Sequence, residues 1–288
     1  MTMKNSILTK SISYKDFKKE ILNDYRNIVI SREASLLGRK EVLSGKAKFG
    51  IFGDGKELPQ IAMAKVFDKG DFRSGYYRDQ TFMFAINKLT VKQFFSGLYA
   101  NTSFEEEPMS GGRQMGSHFS SIFVDNKGDF VDLTNQYNIS SDISPTSGQM
   151  PRLLGLAMAS KHVRSGKFNC NKLSNNGNEI AWGTIGNAST SEGLFFETVN
   201  AIGVHQVPAV ISIWDDEYGI SVNNSYQTTK SSISEALKGF QRTKTEKGFE
   251  ILTVNGWDYP SLISTYEHAN NVARNEHVPV IIHVTELT

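Results

Sequence analysis

The chain has 288 residues, 39% hydrophobic and 21% charged, a balance ordinary for a globular protein and sufficient for a full core in one large domain or two. A formal net charge of +1, with no lysine- and arginine-rich block, gives no electrostatic reason to expect a nucleic-acid or membrane partner, and no apolar run reaches the length of a signal-peptide core or a bilayer span. The single cysteine, Cys170, excludes an internal disulfide and a cysteine-rich zinc site, so a reducing, cytoplasmic location is expected.

In chain order, residues 14–44 carry Phe17, Ile21, Tyr25, Ile28, Val29, Leu36, Leu37 and Val42 at helical spacing, which predicts one or two helices before the glycine-rich GKAKFGIFGDGKE. Residues 1–50 are thus expected to form a helical N-terminal arm and 51–288 an α/β domain. Helices are expected over 57–67, 81–85 and 91–99, with GYYRDQ ahead of the second. SGGRQMGSHF (110–119) is a glycine-rich loop, 126–132 a turn-rich connector, and Pro151 opens a helix through Lys161. A polar loop over 166–178 precedes a short apolar strand at 180–185, closed by Gly186. Thr190 or Ser191 can then cap a helix, with Glu192 in its first turn and Leu194, Phe195, Val199 and Ile202 at helical spacing. AVISIW (209–214) is a second strand. An amphipathic helix is expected over 229–240, with Ile233, Leu237 and Phe240 on one face. Strands over 248–254 and 279–284 flank a helix from Tyr259 to about Arg274, capped by Asp258. His162, His205, His268, His277 and His283 show no ligand spacing and read as structural.

The stretch 179–222 has the most chemical content. Strand, helix and strand of this length make a crossover, so the two strands are expected to be parallel neighbours whose carboxyl ends share one sheet edge, where open α/β sheets bind ligands. Asn187, Ala188 and Ser189 follow the first strand; Asp215, Asp216 and the Tyr218 carbonyl follow the second. Hard oxygen donors of this kind suit Mg2+ or Ca2+. The turn is neither a GxxxxGK[ST] nor a GxGxxG loop and holds no lysine, so a diphosphate placed here needs a metal.

These residues resemble the thiamine diphosphate signature in the alpha part of the decarboxylating dehydrogenase component of 2-oxoacid dehydrogenase complexes. That pattern is GDG or GEG, a helix with E-x-x-N, then NN-x-Y-x-I-S. It matches Gly186-Asn187-Ala188, Glu197 with Asn200, and Asp215-Asp216-Glu217-Tyr218-Gly219-Ile220-Ser221. The family's acidic metal ligand falls on Asn187 and its asparagine ligand on Asp216, so amide and carboxylate exchange places. The resemblance implies a doubly wound, mostly parallel α/β fold with helices on both faces, thiamine diphosphate as cofactor and Mg2+ held by Asn187, Asp216 and Tyr218. It assigns Tyr77 and Arg78 of YRD to the diphosphate. Ser144 and Thr146 of SPTSGQMP, together with Gly186, Asn187, Ala188, Ser189, Asp216, Tyr218 and Ile220, go to the cofactor, and His118 of GRQMGSH to the active-site mouth as a catalytic candidate. GRQMGSH and SPTSGQMP are closest to the branched-chain 2-oxoacid type, with Gly148 where those members have threonine.

The implied reaction is oxidative decarboxylation of a 2-oxoacid with acyl transfer to a lipoyl group. A beta subunit or fused beta domain and a lipoyl-bearing acyltransferase are the implied partners. The chain alone is expected to be inactive and to self-associate as a homo-oligomer through apolar surface meant for the missing part. Two other readings stay open: a metal-dependent nucleotide-sugar transferase using WDDE, which leaves Tyr77-Arg78 and SPTSGQMP unexplained, and a non-catalytic assembly module.

Overall fold

A computed structural model describes residues 13–168 and 170–288; the first twelve residues of the expected arm lie outside the described residues. The arm is one helix, α1 (Tyr14–Leu43), capped by the Ser13 side chain on Asp16 N–H. It meets the body through small and polar residues, however. Ser31, Ala34, Ser35 and Gly38 are buried, whereas Phe17, Tyr25, Leu36 and Leu37 are exposed. Close approach decides this: Ser31 and Thr81 hydroxyls lie 2.6 Å apart, Gln80 Nε2 donates to Ser31 O and Ser35 Oγ, and a side chain on Gly38 would strike the Phe52 ring at 2.5 Å.

Next come α2 (Glu57–Val66), β1 (Phe72–Ser74), α3 (Gln80–Ala85), α4 (Val91–Leu98), β2 (Asn138–Ile139) and α5 (Met150–Arg164, opened by Pro151). The central crossover is β3 (Ala181–Gly186), α6 (Gly193–His205) and β4 (Ala209–Trp214). A small antiparallel hairpin, β5 (Tyr218–Gly219) with β6 (Val222–Asn223), leads to α7 (Ile233–Ala236), and the chain closes with β7 (Glu250–Asn255), α8 (Tyr259–Asn271) and β8 (Val280–Thr285).

Six strands form one all-parallel sheet in the order β2-β1-β3-β4-β8-β7. β3 and β4 pair from Ala181↔Ala209 to Gly186↔Trp214, the neighbours expected of the crossover. Alternate residues feed two cores. Trp182, Val210, Trp214, Ile282 and Val284 pack with α2, α3 and α8, while Ala181, Ile185, Ile211, Ile213 and Ile281 pack with α5 and α6. The sheet is therefore doubly wound. The connection leaving β1 runs toward β2 and that leaving β3 runs toward β4, so the loops diverge between these adjacent strands and open a crevice at their carboxyl ends.

Three expectations change. β1 and β2, three and two residues long, are too short for a strand pattern to register, so the sheet is wider than four strands. The helix expected over 229–240 is broken into turns around a four-residue α7, because Lys230 and Ser231 adopt left-handed φ values of 65° and 51°; Ile233 and Leu237 are buried nonetheless. Thr190 and Ser191 do not cap α6. Their hydroxyls donate to the Asn187 and Gln227 carbonyls, residues 188–191 form a 3-10 turn, and Glu192 is the cap position without a side-chain bond. Asp258 does cap α8, accepting from Ser261 N–H at 3.2 Å.

Candidate cofactor site

The carboxyl ends of β3 and β4 are laced together by buried polar groups. Asn187 N–H donates to the Trp214 carbonyl at 3.2 Å. The Asn187 Nδ2 donates to Asn224 Oδ1 at 2.8 Å, and Asn224 Nδ2 to Asp215 Oδ1 at 2.9 Å. Asp215 also accepts the Glu217 N–H at 2.8 Å and lies 2.9 Å from Nε2 of His283, brought up by β8. Burial alone would push the Asp215 carboxyl up. Hydrogen bonds from His283, Asn224 and the Glu217 N–H outweigh it and hold the group below the usual carboxylate range. His283, read from spacing as structural, is thus part of this edge.

Asp216 points elsewhere. Its Oδ2 is 2.6 Å from Nζ of Lys56, a lysine only 4% exposed at the cap of α2, and its Oδ1 takes the Tyr218 N–H at 3.3 Å. The hairpin carrying Tyr218 presses on the turn after β3, since a Cβ on Gly219 would lie 2.5 Å from the Ala188 methyl and from Gln227 Nε2. Gly186, Asn187, Ala188, Asp216 and Tyr218 are therefore brought to one edge. Ile220, in the turn of the same hairpin at φ 59°, has its side chain fully exposed.

The SPTSGQMP loop reaches the same edge through Ser147, whose hydroxyl donates to the Ser189 carbonyl at 2.5 Å. Ser144 and Thr146 are exposed on that loop. Ser144 Oγ lies 3.0 Å from His118 Nε2, and the buried His118 ring stacks on Tyr77 with centroids 5.5 Å apart at 21°. Arg78 donates to the Phe52 carbonyl at 2.9 Å and forms no ion pair among the described residues. A cleft of about 250 Å³, lined by Arg39, Val42, Leu43, Ile51 and Phe52, opens beside it.

Tyr76 was not singled out by the motif. It fills the space between the loops, its N–H on Thr184 Oγ1, its ring 5.9 Å from Trp214, and its hydroxyl 3.5 Å from where a Cβ on Gly186 would stand. Burial pushes its hydroxyl pKa up, so it stays a neutral donor. Beneath it, fully buried Arg73 donates to Asp79 (2.6 Å), Asp142 (3.0 Å) and the Tyr76 carbonyl (2.9 Å). Asp142 in turn accepts the Phe119 N–H at 2.9 Å, next to His118. Lys56, Asp142 and His283 escape a sequence reading because their partners Asp216, Arg73 and Asp215 lie 160, 69 and 68 positions away; Arg73 and Asn224 also have near partners, Asp79 and Asp215, but no motif marks them.

The donor set at the edge is the Asn187 amide, the Asp216 carboxylate and the Tyr218 carbonyl. The described residues contain no group of three or more His, Cys, Asp or Glu placed to hold a metal. This set fits a hard divalent cation that keeps few protein ligands and takes its remaining oxygens from a diphosphate. With Lys56 on one Asp216 oxygen and the Tyr218 N–H on the other, each oxygen still keeps a lone pair for a ligand. Arg78, a guanidinium with no carboxylate partner among the described residues, suits a phosphate.

Against known proteins, the sequence profile described as dehydrogenase E1 component matches residues 25–286. The chain is 27% identical over 269 residues to a 2-oxoisovalerate dehydrogenase subunit alpha of Bacillus subtilis (strain 168), covering 92% of this chain and 69% of that one. It is 24% identical over 266 residues to a pyruvate dehydrogenase E1 component subunit alpha of Acholeplasma laidlawii, covering 92% and 64%. To a mitochondrial 2-oxoisovalerate dehydrogenase subunit alpha 1 of Arabidopsis thaliana it is 25% identical over 239 residues, covering 83% and 43%. A match over nearly the whole chain, on a doubly wound sheet whose edge carries the expected loops, makes this protein a member of the dehydrogenase E1 component family.

Proposed function

We propose that the chain is the alpha-like part of a thiamine diphosphate-dependent 2-oxoacid dehydrogenase, acting on a branched-chain 2-oxoacid and passing the acyl group to a lipoyl-bearing acyltransferase. What supports this reading is the dehydrogenase E1 component match over residues 25–286, together with the loops that touch at the ends of β3 and β4: Ser147 of SPTSGQMP on the Ser189 carbonyl, and Tyr76 between Gly186 and Tyr77. Thiamine diphosphate, when bound, supplies the nucleophile and electron sink for decarboxylation. The chain's own residues bind and orient. Asn187 Oδ1, Asp216 and the Tyr218 carbonyl hold Mg2+; Arg78 and Tyr77 hold the diphosphate; Ser144, Thr146 and Ser189 line the cofactor's path. His118 closes the mouth, its ring fixed by Tyr77 and Ser144. The branched-chain preference rests on the likeness to 2-oxoisovalerate dehydrogenase alpha subunits.

The reading includes a beta subunit or fused beta domain that completes the site, and a cytoplasmic location in keeping with the single cysteine. Exposed apolar side chains on α1 (Phe17, Tyr25, Leu36) and α6 (Leu194, Phe196, Val204) offer surface for that partner or for a second copy of the chain. Among the described residues no helix is long and apolar enough to cross a membrane. The family match disfavours the nucleotide-sugar transferase. Calorimetry with thiamine diphosphate and Mg2+, set beside a nucleotide sugar with Mn2+, tests cofactor identity, and binding of the nucleotide sugar alone overturns it. Decarboxylation of a branched 2-oxoacid with an artificial electron acceptor, with and without a beta partner, separates an enzyme from an assembly module.

A further inference from the structure

We infer that Asp215, acting through Asn224, fixes the polarity of the Asn187 amide so that its oxygen, and not its NH2, faces the cofactor edge. This rests on the reading of that edge as a metal and diphosphate site. A carboxamide has two ends of nearly equal shape and opposite hydrogen-bonding character, so only its partners decide which way it points. Here the decision starts at the backbone. The Glu217 N–H can only donate, and it ends on Asp215 Oδ1 at 2.8 Å, which makes that oxygen an acceptor.

The Asn224 atom 2.9 Å from the same oxygen must then be its NH2. Asn224 is left to present its carbonyl oxygen to Asn187, 2.8 Å away, and Asn187 must meet it with its own NH2. Its oxygen is the end that remains, and among the described residues nothing donates to it. All three residues are buried, Asp215 at 4%, Asn224 at 5% and Asn187 at 3% exposure, so water does not compete for these bonds. The far side of Asp215 is closed by His283 Nε2 at 2.9 Å, and His283 Nδ1 lies 3.0 Å from Ser234 Oγ.

The consequence concerns the exchanged ligands. An amide offers a cation either an oxygen or two positively polarised hydrogens, whereas a carboxylate offers oxygen either way. A site that uses Asn187 where relatives of the motif use an acid therefore needs the amide locked. Of the two adjacent acids, Asp216 faces the edge and Asp215 turns back to set the lock. Asp215 is a positioning residue; its role is that of an acceptor, not of a charge.

That distinction sets the test on the full chain. Asp215→Asn removes the charge but keeps an oxygen able to accept from Glu217 N–H and Asn224; Asn224→Ala removes the relay. With asparagine side chains labelled with 15N, the Asn187 NH2 of the metal-free wild type and of Asp215→Asn exchanges slowly with solvent. In Asn224→Ala it exchanges fast. With thiamine diphosphate present, Mn2+ binding followed by electron paramagnetic resonance stays within about threefold of wild type in Asp215→Asn and weakens roughly 10- to 100-fold in Asn224→Ala, the range of outer-layer effects on metal sites. Equal losses in both variants, or an Asn187 NH2 unprotected in wild type, overturn the inference. Should Asn224→Ala fail to fold by circular dichroism, Asp215→Asn decides it, because a charge role predicts a large loss there. Protected NH2 groups in a wild type that binds no Mn2+ overturn the metal reading while the amide assignment stands.

Discussion

Replacing Arg73 with methionine tests the buried ion cluster that holds the loops around the site. Arg73, Asp79 and Asp142 are all 0% exposed, and the guanidinium is bonded to both carboxylates and to the Tyr76 carbonyl. Methionine keeps the length and removes every donor, leaving two acids in an apolar interior. Breaking a buried pair from one side costs about 3–5 kcal/mol, about a fifth or more of a stability of roughly 5–15 kcal/mol. The loss depends on pH. Burial pushes the Asp79 carboxyl up to about 7, aided by Asp142 and opposed by Arg73, and burial also raises Asp142. A folded-state pKa raised above the unfolded value means that this group's contribution is fully present below the unfolded value of about 4 and is lost as pH rises through the folded one. Arg73 lowers both carboxyls, so its removal raises each further, and the gap between variant and wild type should narrow as pH falls from 7 to 5. Urea unfolding at the two ends of that range measures it. A loss below about 1 kcal/mol at pH 7, or one that does not change with pH, would refute the account.

Four further outcomes are expected. Asp216→Ala removes the carboxylate from the metal set, so Mg2+ dependence of thiamine diphosphate binding in calorimetry should fall by tenfold or more, of the order seen when metal sites are disturbed; unchanged dependence would clear Asp216 of the role. Asn187→Asp with Asp216→Asn should bind metal better than Asn187→Asp alone, because the single change crowds a third carboxylate beside Asp215 and Asp216; equal Mn2+ affinities would show that charge balance does not couple the positions. Lys56→Met removes an ammonium 2.6 Å from Asp216. Titrations should show thiamine diphosphate binding weakened without Mg2+ and a steeper Mg2+ dependence, and binding insensitive to the change would place Lys56 outside the cradle. Gly53→Ala drives a methyl into the Arg78 carbonyl, a backbone atom that cannot swing aside. A stability loss of about 1–3 kcal/mol and weakened thiamine diphosphate binding are expected, measured by thermal unfolding and calorimetry.

The sequence by itself determined the architecture at the level of the crossover. The apolar runs at 180–185 and 209–214, separated by one helix, leave a parallel pair as the natural arrangement, and β3 and β4 are that pair. Motif order supplied the family, and local chemistry supplied the Asp258 cap. Local signals failed where a residue's partner is remote. Ser191 has the chemistry of a helix cap, yet the Gln227 carbonyl takes its hydroxyl; α1 has an apolar stripe, yet small residues on another side allow the closer approach to α3 and are the ones buried. Only the tertiary structure decided which of two adjacent acids faces the edge, since Lys56 claims Asp216 from 160 positions away and His283 claims Asp215 from 68. Side-chain polarity at the site is set by such long-range pairings in a buried, low-dielectric setting. They come into being only when the ends of β3, β4 and β8 are side by side.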